Sequence, residues 1–144
     1  MSNKVVVDTN VIVALLDVRD VHHDRTLKLI NRLEDEQKDL VLMDCILNEV
    51  YTVLARRSLE RGYRLSEIVS KVKNDLESFE IIEAYPLVNR IHDKVIELML
   101  RTDGRLNYHD ALICLVMKEK GINKIATFDK DFKEINWLEV EDRS

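Results

Sequence analysis

The chain has 144 residues, 46% of them hydrophobic and 34% charged, and its 22 Lys and Arg against 27 Asp and Glu leave a formal charge of −5. That is one domain's length with apolar content enough for a single core, which excludes wholesale disorder. Three Gly and one Pro exclude collagen-like repeats and Pro-rich linkers, and the acidic balance excludes binding to nucleic acid through bulk positive charge.

Lys4-Val5-Val6-Val7 is a β-branched run ending in Asp8, and it reads as a strand buried on both faces. No element is predicted between Asp8 and His22. A helix is expected from about His22 to Gln37, with Leu27, Ile30 and Leu33 on one face. Leu40 to Leu42 is a strand candidate. Next comes a helix from about Cys45 to Arg61, ended near Gly62, and then one from about Ser66 to Glu77 with the stripe Leu65, Ile68, Val69, Val72 and Leu76. Phe79 to Ile82 is a further strand candidate. Pro86 opens a helix carrying Leu87, Ile91, Val95 and Leu98 that ends near Gly104. A helix from about Tyr108 to Lys120 is capped by Gly121, and Lys124 to Thr127 and Leu138 to Val140 are the last strand candidates. The tail from Glu141 to Ser144 is expected to fray. Short apolar strands alternating with helices predict a three-layer, single-domain α/β fold with a mostly parallel sheet over residues 1–144.

No apolar run approaches the ~20 residues of a membrane span, and the apolar stretch near the N-terminus is too short for a signal peptide. Cys45 and Cys114 lie among apolar neighbours with no CxxC, as expected of buried thiols in a reducing compartment. A cytoplasmic location is therefore expected. The single Gln and the many charges hint at a thermophile, though Asn is not depleted.

Four acids stand apart from those on solvated helix faces. Asp8 and Asp129 each follow a short apolar strand, at the edge where open α/β sheets bind ligands. Asp131 lies two residues beyond Asp129 and is a further candidate. Glu49 interrupts an apolar helix face formed by Cys45, Ile46, Val50 and Val53. A lone buried carboxylate there costs several kcal/mol, so a partner is required: Arg56 or Arg57, a proton, or a metal ion. Asp110 heads the apolar run 111–117 and also suits a capping box with Asn107. Parallel strands deliver their ends to one edge, so the acids are expected to gather there. Unit charges 4 Å apart repel by about 4 kcal/mol at an effective dielectric of 20. A hard divalent cation relieves this, and oxygen ligation without a Cys/His set favours Mg2+ or Mn2+ over Zn2+. Removing four acids changes the charge from −5 to −1, so a polyanionic substrate remains compatible with the composition.

Three stretches resemble the PIN-domain family, specifically its VapC-like ribonuclease toxins. They are VVVDTNVIVALLD (5–17), LNEVYTVLARR (47–57) and NYHDALICLVMKEKGINKIATFDKDF (107–132). Each is weak alone; their order and separation are specific. The resemblance implies a flavodoxin-like α/β/α sandwich. It also implies metal ligands at Asp8, Glu49, Asp110 and Asp129, with catalysis of RNA cleavage by Mg2+ or Mn2+. It further implies a homodimer and a small antitoxin partner. Asn10, Thr9 and Thr127 are candidates to orient ligands or phosphate, and Arg56, Arg57, Arg61 and Arg64 to contact the RNA backbone, against a reading as a solvated helix end. His22 and His23 read as surface residues at a helix start, and His109 as structural. Tyr63, Tyr85 and Trp137 are scattered, with no evident platform for bases.

Rival readings fit less well. A haloacid-dehalogenase phosphatase wants a second Asp where Asn10 stands. A response-regulator receiver pairs acids near its first strand, and none precedes Asp8. A nuclease for RNA processing or for DNA, and a non-catalytic protein-binding module, remain as alternatives.

Overall fold

The computed structural model describes residues 2–143. Lys4–Val7 forms β1, in which Val5, Val6 and Val7 are wholly buried, as a β-branched run covered on both faces requires. The chain then enters a helix that the sequence reading left out, α1 (Thr9–Leu16). Its six buried residues include Val11, Ile12, Val13 and Ala14. Apolar on nearly every side, it shows no amphipathic period. The order continues with α2 (His23–Asp35), β2 (Asp39–Met43), α3 (Asp44–Arg61), α4 (Leu65–Leu76) and β3 (Glu80–Ile82). A short 3-10 helix over Tyr85–Leu87 leads into α5 (Val88–Arg101). Then follow α6 (Tyr108–Lys120), β4 (Lys124–Ala126), a 3-10 helix over Lys130–Glu134, and β5 (Glu139–Glu141). Gly62 and Gly121 end α3 and α6 in the left-handed conformation, at φ 73° and 71°, where a Cβ would be strained.

The five strands make one sheet in the order β3-β2-β1-β4-β5, and every neighbouring pair is parallel. The α/β sandwich with its parallel sheet is thus the expected one. From β1 the chain steps outward to β2 and β3, then returns across the sheet to β4 and β5. Right-handed crossovers therefore put α1 to α4 on one face and α5 and α6 on the other. The contacts agree: α1 packs on α2 and α3, α3 on α4, and α5 on α6. The order reverses between β1 and β4. Such a switch point opens a crevice outside the strand ends, and helices running back from the sheet present their N-termini there.

Three local expectations need correction. Leu27 is 40% exposed on α2, and Thr26, Leu29, Ile30 and Leu33 form the buried face instead. On α4, Val72 and Leu76 are buried while Leu65 is half-exposed. The tail is not frayed as far as Arg143. Glu141 belongs to β5 and pairs with Arg32, whose Nε also donates to the Arg143 carbonyl. Lys133 pairs with Asp142. Ser144 lies outside the described residues.

Candidate active site

β1 delivers Asp8 to the crevice. The residue is 5% exposed and caps α1: its Oδ1 accepts from the Thr9 amide at 2.8 Å. Its Oδ2 accepts from the Thr127 hydroxyl at 2.7 Å, just past the end of β4. The same hydroxyl oxygen accepts from the Asn10 side-chain amide at 3.2 Å and from the Asp129 amide at 3.1 Å. Asn10 Oδ1 in turn accepts from the Phe128 amide. Three segments are thus locked around Asp8. Burial pushes its carboxyl upward, the bonds from Thr127 and Thr9 oppose that, and the charge on Glu49 adds to it.

Asp110 enters from the opposite helical layer, in the first turn of α6. Asn107 caps that helix, its Oδ1 accepting from the Asp110 amide at 2.8 Å. The capping geometry and the cleft position coexist in one residue. Burial pushes the Asp110 carboxyl up to about 7, with Asp8, Asp129 and Glu49 adding their negative charge. Asp129 lines the same cleft, and its Oδ1 accepts from the Asp131 amide at 2.9 Å. Asp131 itself is exposed and outside the cleft lining.

Glu49 corrects the expectation of a buried charge. Cys45, Ile46 and Val50 are buried, yet the Glu49 side chain is 43% exposed because α3 runs along the cleft wall. Its neighbour is not an arginine. His109 Nε2 stands 3.4 Å from Glu49 Oε2, without hydrogen-bond geometry. Arg57 instead holds Asp17 at 2.7 Å and Asp20 at 3.0 Å, and Arg61 shares Asp17 at 3.0 Å. Burial works against the ionised Asp17, but hydrogen bonds from Arg57 and the Arg19 amide, with charge pairing to Arg57 and Arg61, hold it below the usual carboxylate range. Arg56 and Arg64 are exposed.

The cleft has a volume of about 440 Å³ and is lined by Asp8, Glu49, Asp110 and Asp129, with Asn10 and Thr9 beside them. Asp20, His22 and Arg57 form its outer wall. Arg57 is a candidate from the sequence, as a partner of Glu49 or an RNA contact, whereas periodicity gives no reason to place Asp20 and His22 at the site. The wall depends on the loop after α1, an element the sequence reading lacked. The four acids share one cleft, but they are not a formed cage. As placed, no three carboxylate, imidazole or thiol groups among the described residues could hold one ion together. The contacts explain this: Glu49 lies against His109, Asp129 holds the Asp131 amide, and Asp8 is taken up by Thr9 and Thr127. The donor set still suits a hard cation, being oxygen only, with neighbouring carboxylates that add to the burial raising the Asp110 carboxyl.

Comparison with known proteins follows the same line. A family profile described as PIN domain matches residues 5–138. Ribonuclease VapC1 of Aquifex aeolicus is 31% identical over 131 residues, covering 91% of this chain and 85% of that protein. Ribonuclease VapC2 of Methanocaldococcus jannaschii is 26% identical, covering 96% and 93%. The crystal structure of Mycobacterium tuberculosis VapC20, a sarcin-ricin loop cleaving toxin, is similar with a TM-score of 0.71 and 25% identity, over 94% of this chain and 98% of that one. VapBC2 of Rickettsia felis, bound to a DNA fragment from its promoter, shares the fold with a TM-score of 0.68 at 16% identity, over 96% and 97%.

Proposed function

The chain belongs to the PIN-domain family, on its VapC-like branch, and from that premise we propose that it is a divalent-metal-dependent endoribonuclease, the toxin of a toxin–antitoxin pair. The observation that carries the reading is the meeting of Asp8, Glu49, Asp110 and Asp129, from four separate segments, in one cleft at the switch point of the sheet. The names of the two curated relatives and the reaction ascribed to VapC20 support RNA as the substrate.

Those four carboxylates would hold Mg2+ or Mn2+, and the bound ion would lower the pKa of water and offset charge on the phosphate. The protein's own residues prepare the site. Thr127 and the Thr9 amide hold Asp8 in one orientation, and Asn10 ties Thr127 to the Phe128 backbone. Thr127 also fixes the start of the turn carrying Asp129. Asp131 supports that turn from outside the ligand set. Glu49, half-exposed on α3, lines the cleft beside His109. Residues 1–144 act as one catalytic domain in this reading. The protein works as a homodimer and is restrained by a small antitoxin. Exposed apolar side chains such as Leu59, Leu65 and Leu100, at 87%, 50% and 72% exposure, support surfaces for such partners.

The test is turnover of a structured RNA by purified protein with Mg2+, beside Asp8→Asn and beside a DNA of the same sequence. RNA-selective cleavage that Asp8→Asn abolishes is expected. Equal cleavage by both proteins sinks the proposal. Mn2+ binding that survives Glu49→Gln would count against the ligand set.

A further inference from the structure

Phe128 separates Thr127 from Asp129, and its ring is contacted by α2 and by the residue before that helix. The His22 ring lies 5.1 Å from it, centroid to centroid, at 41°. The Arg25 guanidinium carbon lies 4.2 Å from the same centroid. These contacts join residues more than a hundred positions apart, so spacing along the chain does not reveal them. The arrangement is braced on every side. The His22 amide donates to Asp20 Oδ1 at 2.8 Å, Arg25 donates to the Asp142 carbonyl at 3.1 Å, and the Phe128 amide donates to Asn10. His22 nonetheless remains exposed and lines the same cleft as Asp8 and Asp129. Val21 beside it is 89% exposed.

An exposed aromatic ring held against Phe128, with an acidic cleft next to it, has a specific use for a nucleic acid. A phosphodiester held over the acids projects its flanking bases along the cleft walls. A base leaving water for an imidazole face gains about 1–3 kcal/mol from stacking, without regard to sequence. Solvated histidine is the bland alternative, but it does not explain a ring held in tilted contact with Phe128 at the lip of the cleft. We infer that His22, backed by Phe128 and Arg25, is the stacking platform for a nucleobase that flanks the scissile phosphate. The inference rests on the nuclease reading above and adds a positioning residue to it.

The probe is a short RNA stem-loop that carries an abasic sugar at each loop position in turn. Cleavage and binding are measured with wild type, His22→Ala and His22→Phe. In wild type, one abasic position beside the cleaved bond should weaken kcat/KM and binding by about 5- to 140-fold. In His22→Ala the intact RNA should already be weakened by that factor, and the abasic sugar should cost nothing further. His22→Phe should behave as wild type, since it keeps a ring and loses only the proton chemistry. Equal abasic penalties in wild type and His22→Ala overturn the platform, as does a His22→Phe protein as poor as His22→Ala. A wild-type protein that neither binds nor cuts any stem-loop overturns the nuclease reading and the platform together. Unchanged melting temperatures of both variants, expected for an exposed side chain, exclude misfolding as the cause.

Discussion

Thr127 donates its hydroxyl to the buried Asp8 carboxylate at 2.7 Å across the boundary between β1 and β4, although the two are 119 positions apart. The same oxygen accepts from Asn10 and from the Asp129 amide. One small side chain therefore sets the relation between the first acid and the last. Thr127→Val keeps the shape and removes the bonds. Leaving the buried carboxylate short of a donor is expected to cost about 1–3 kcal/mol of stability in urea unfolding. Loss of such a support is expected to lower cleavage or Mn2+ affinity by about 10- to 100-fold. A fully active Thr127→Val protein would show that Asp8 needs no such support.

Asp110 makes metal-free stability depend on pH with an unusual sign. Its carboxyl is raised from 3.8 to about 7, by burial first and then by the neighbouring acids. Between those values the native state keeps a proton that the unfolded chain has released, so stability falls as pH rises through the window. Asp110→Asn removes the effect. At pH 8 without metal the variant should be more stable than wild type by about 1–2 kcal/mol, the shift being discounted for partial exposure. Added Mn2+ should reverse the order by stabilising wild type alone. Thermal melts at pH 5 and pH 8 check both points.

Asp129 and Asp131 should separate cleanly. Asp129 lines the cleft, and Asp131 only donates its amide to it from an exposed position. Asp129→Asn should abolish Mn2+ binding in calorimetry. Asp131→Asn should change it by less than about threefold, as expected of a screened charge. The opposite pattern would exchange their roles.

Arg57 is predicted to be a structural anchor at the cleft wall. It holds Asp17, whose side chain is 7% exposed, and Asp20. Arg57→Met keeps the apolar stem but leaves Asp17 with Arg61 and the Arg19 amide, and should cost about 2 kcal/mol at neutral pH, less than the loss of a sole partner. Because the Asp17 carboxyl is held below 3.8, that stability is present above this value and is lost as pH falls through the folded value. Wild type and variant should therefore converge in strong acid. A gap independent of pH would assign the effect to packing.

Much of the fold was readable because period and punctuation agreed. α6 was expected over Tyr108 to Lys120 and spans those residues, with Asn107 and Gly121 as its caps. α3 was expected to stop at Gly62 and does. α1 was not readable, since Val-Ile-Val-Ala-Leu-Leu has no polar face when both the sheet and other helices cover it. Asn10 and Thr127 were readable as orienting residues, but what they touch, and the part of His22 and Phe128, was hidden for a related reason. Asn10, Thr127, His22 and Phe128 meet only because β1 and β4 are neighbours.

The amino-acid order by itself determined a parallel α/β chain and named four acids, because a carboxylate at a strand end or within an apolar run stands out from those on solvated faces, although Glu49 proves half-exposed. Only tertiary structure decided that Asp8 and Asp129 share a hydroxyl, that Glu49 faces His109 and not an arginine, and that the His22 ring meets Phe128 at the rim. Burial cost is a local property that residue type and spacing record. A meeting of side chains depends on strand order, which comes from the packing of the whole sheet.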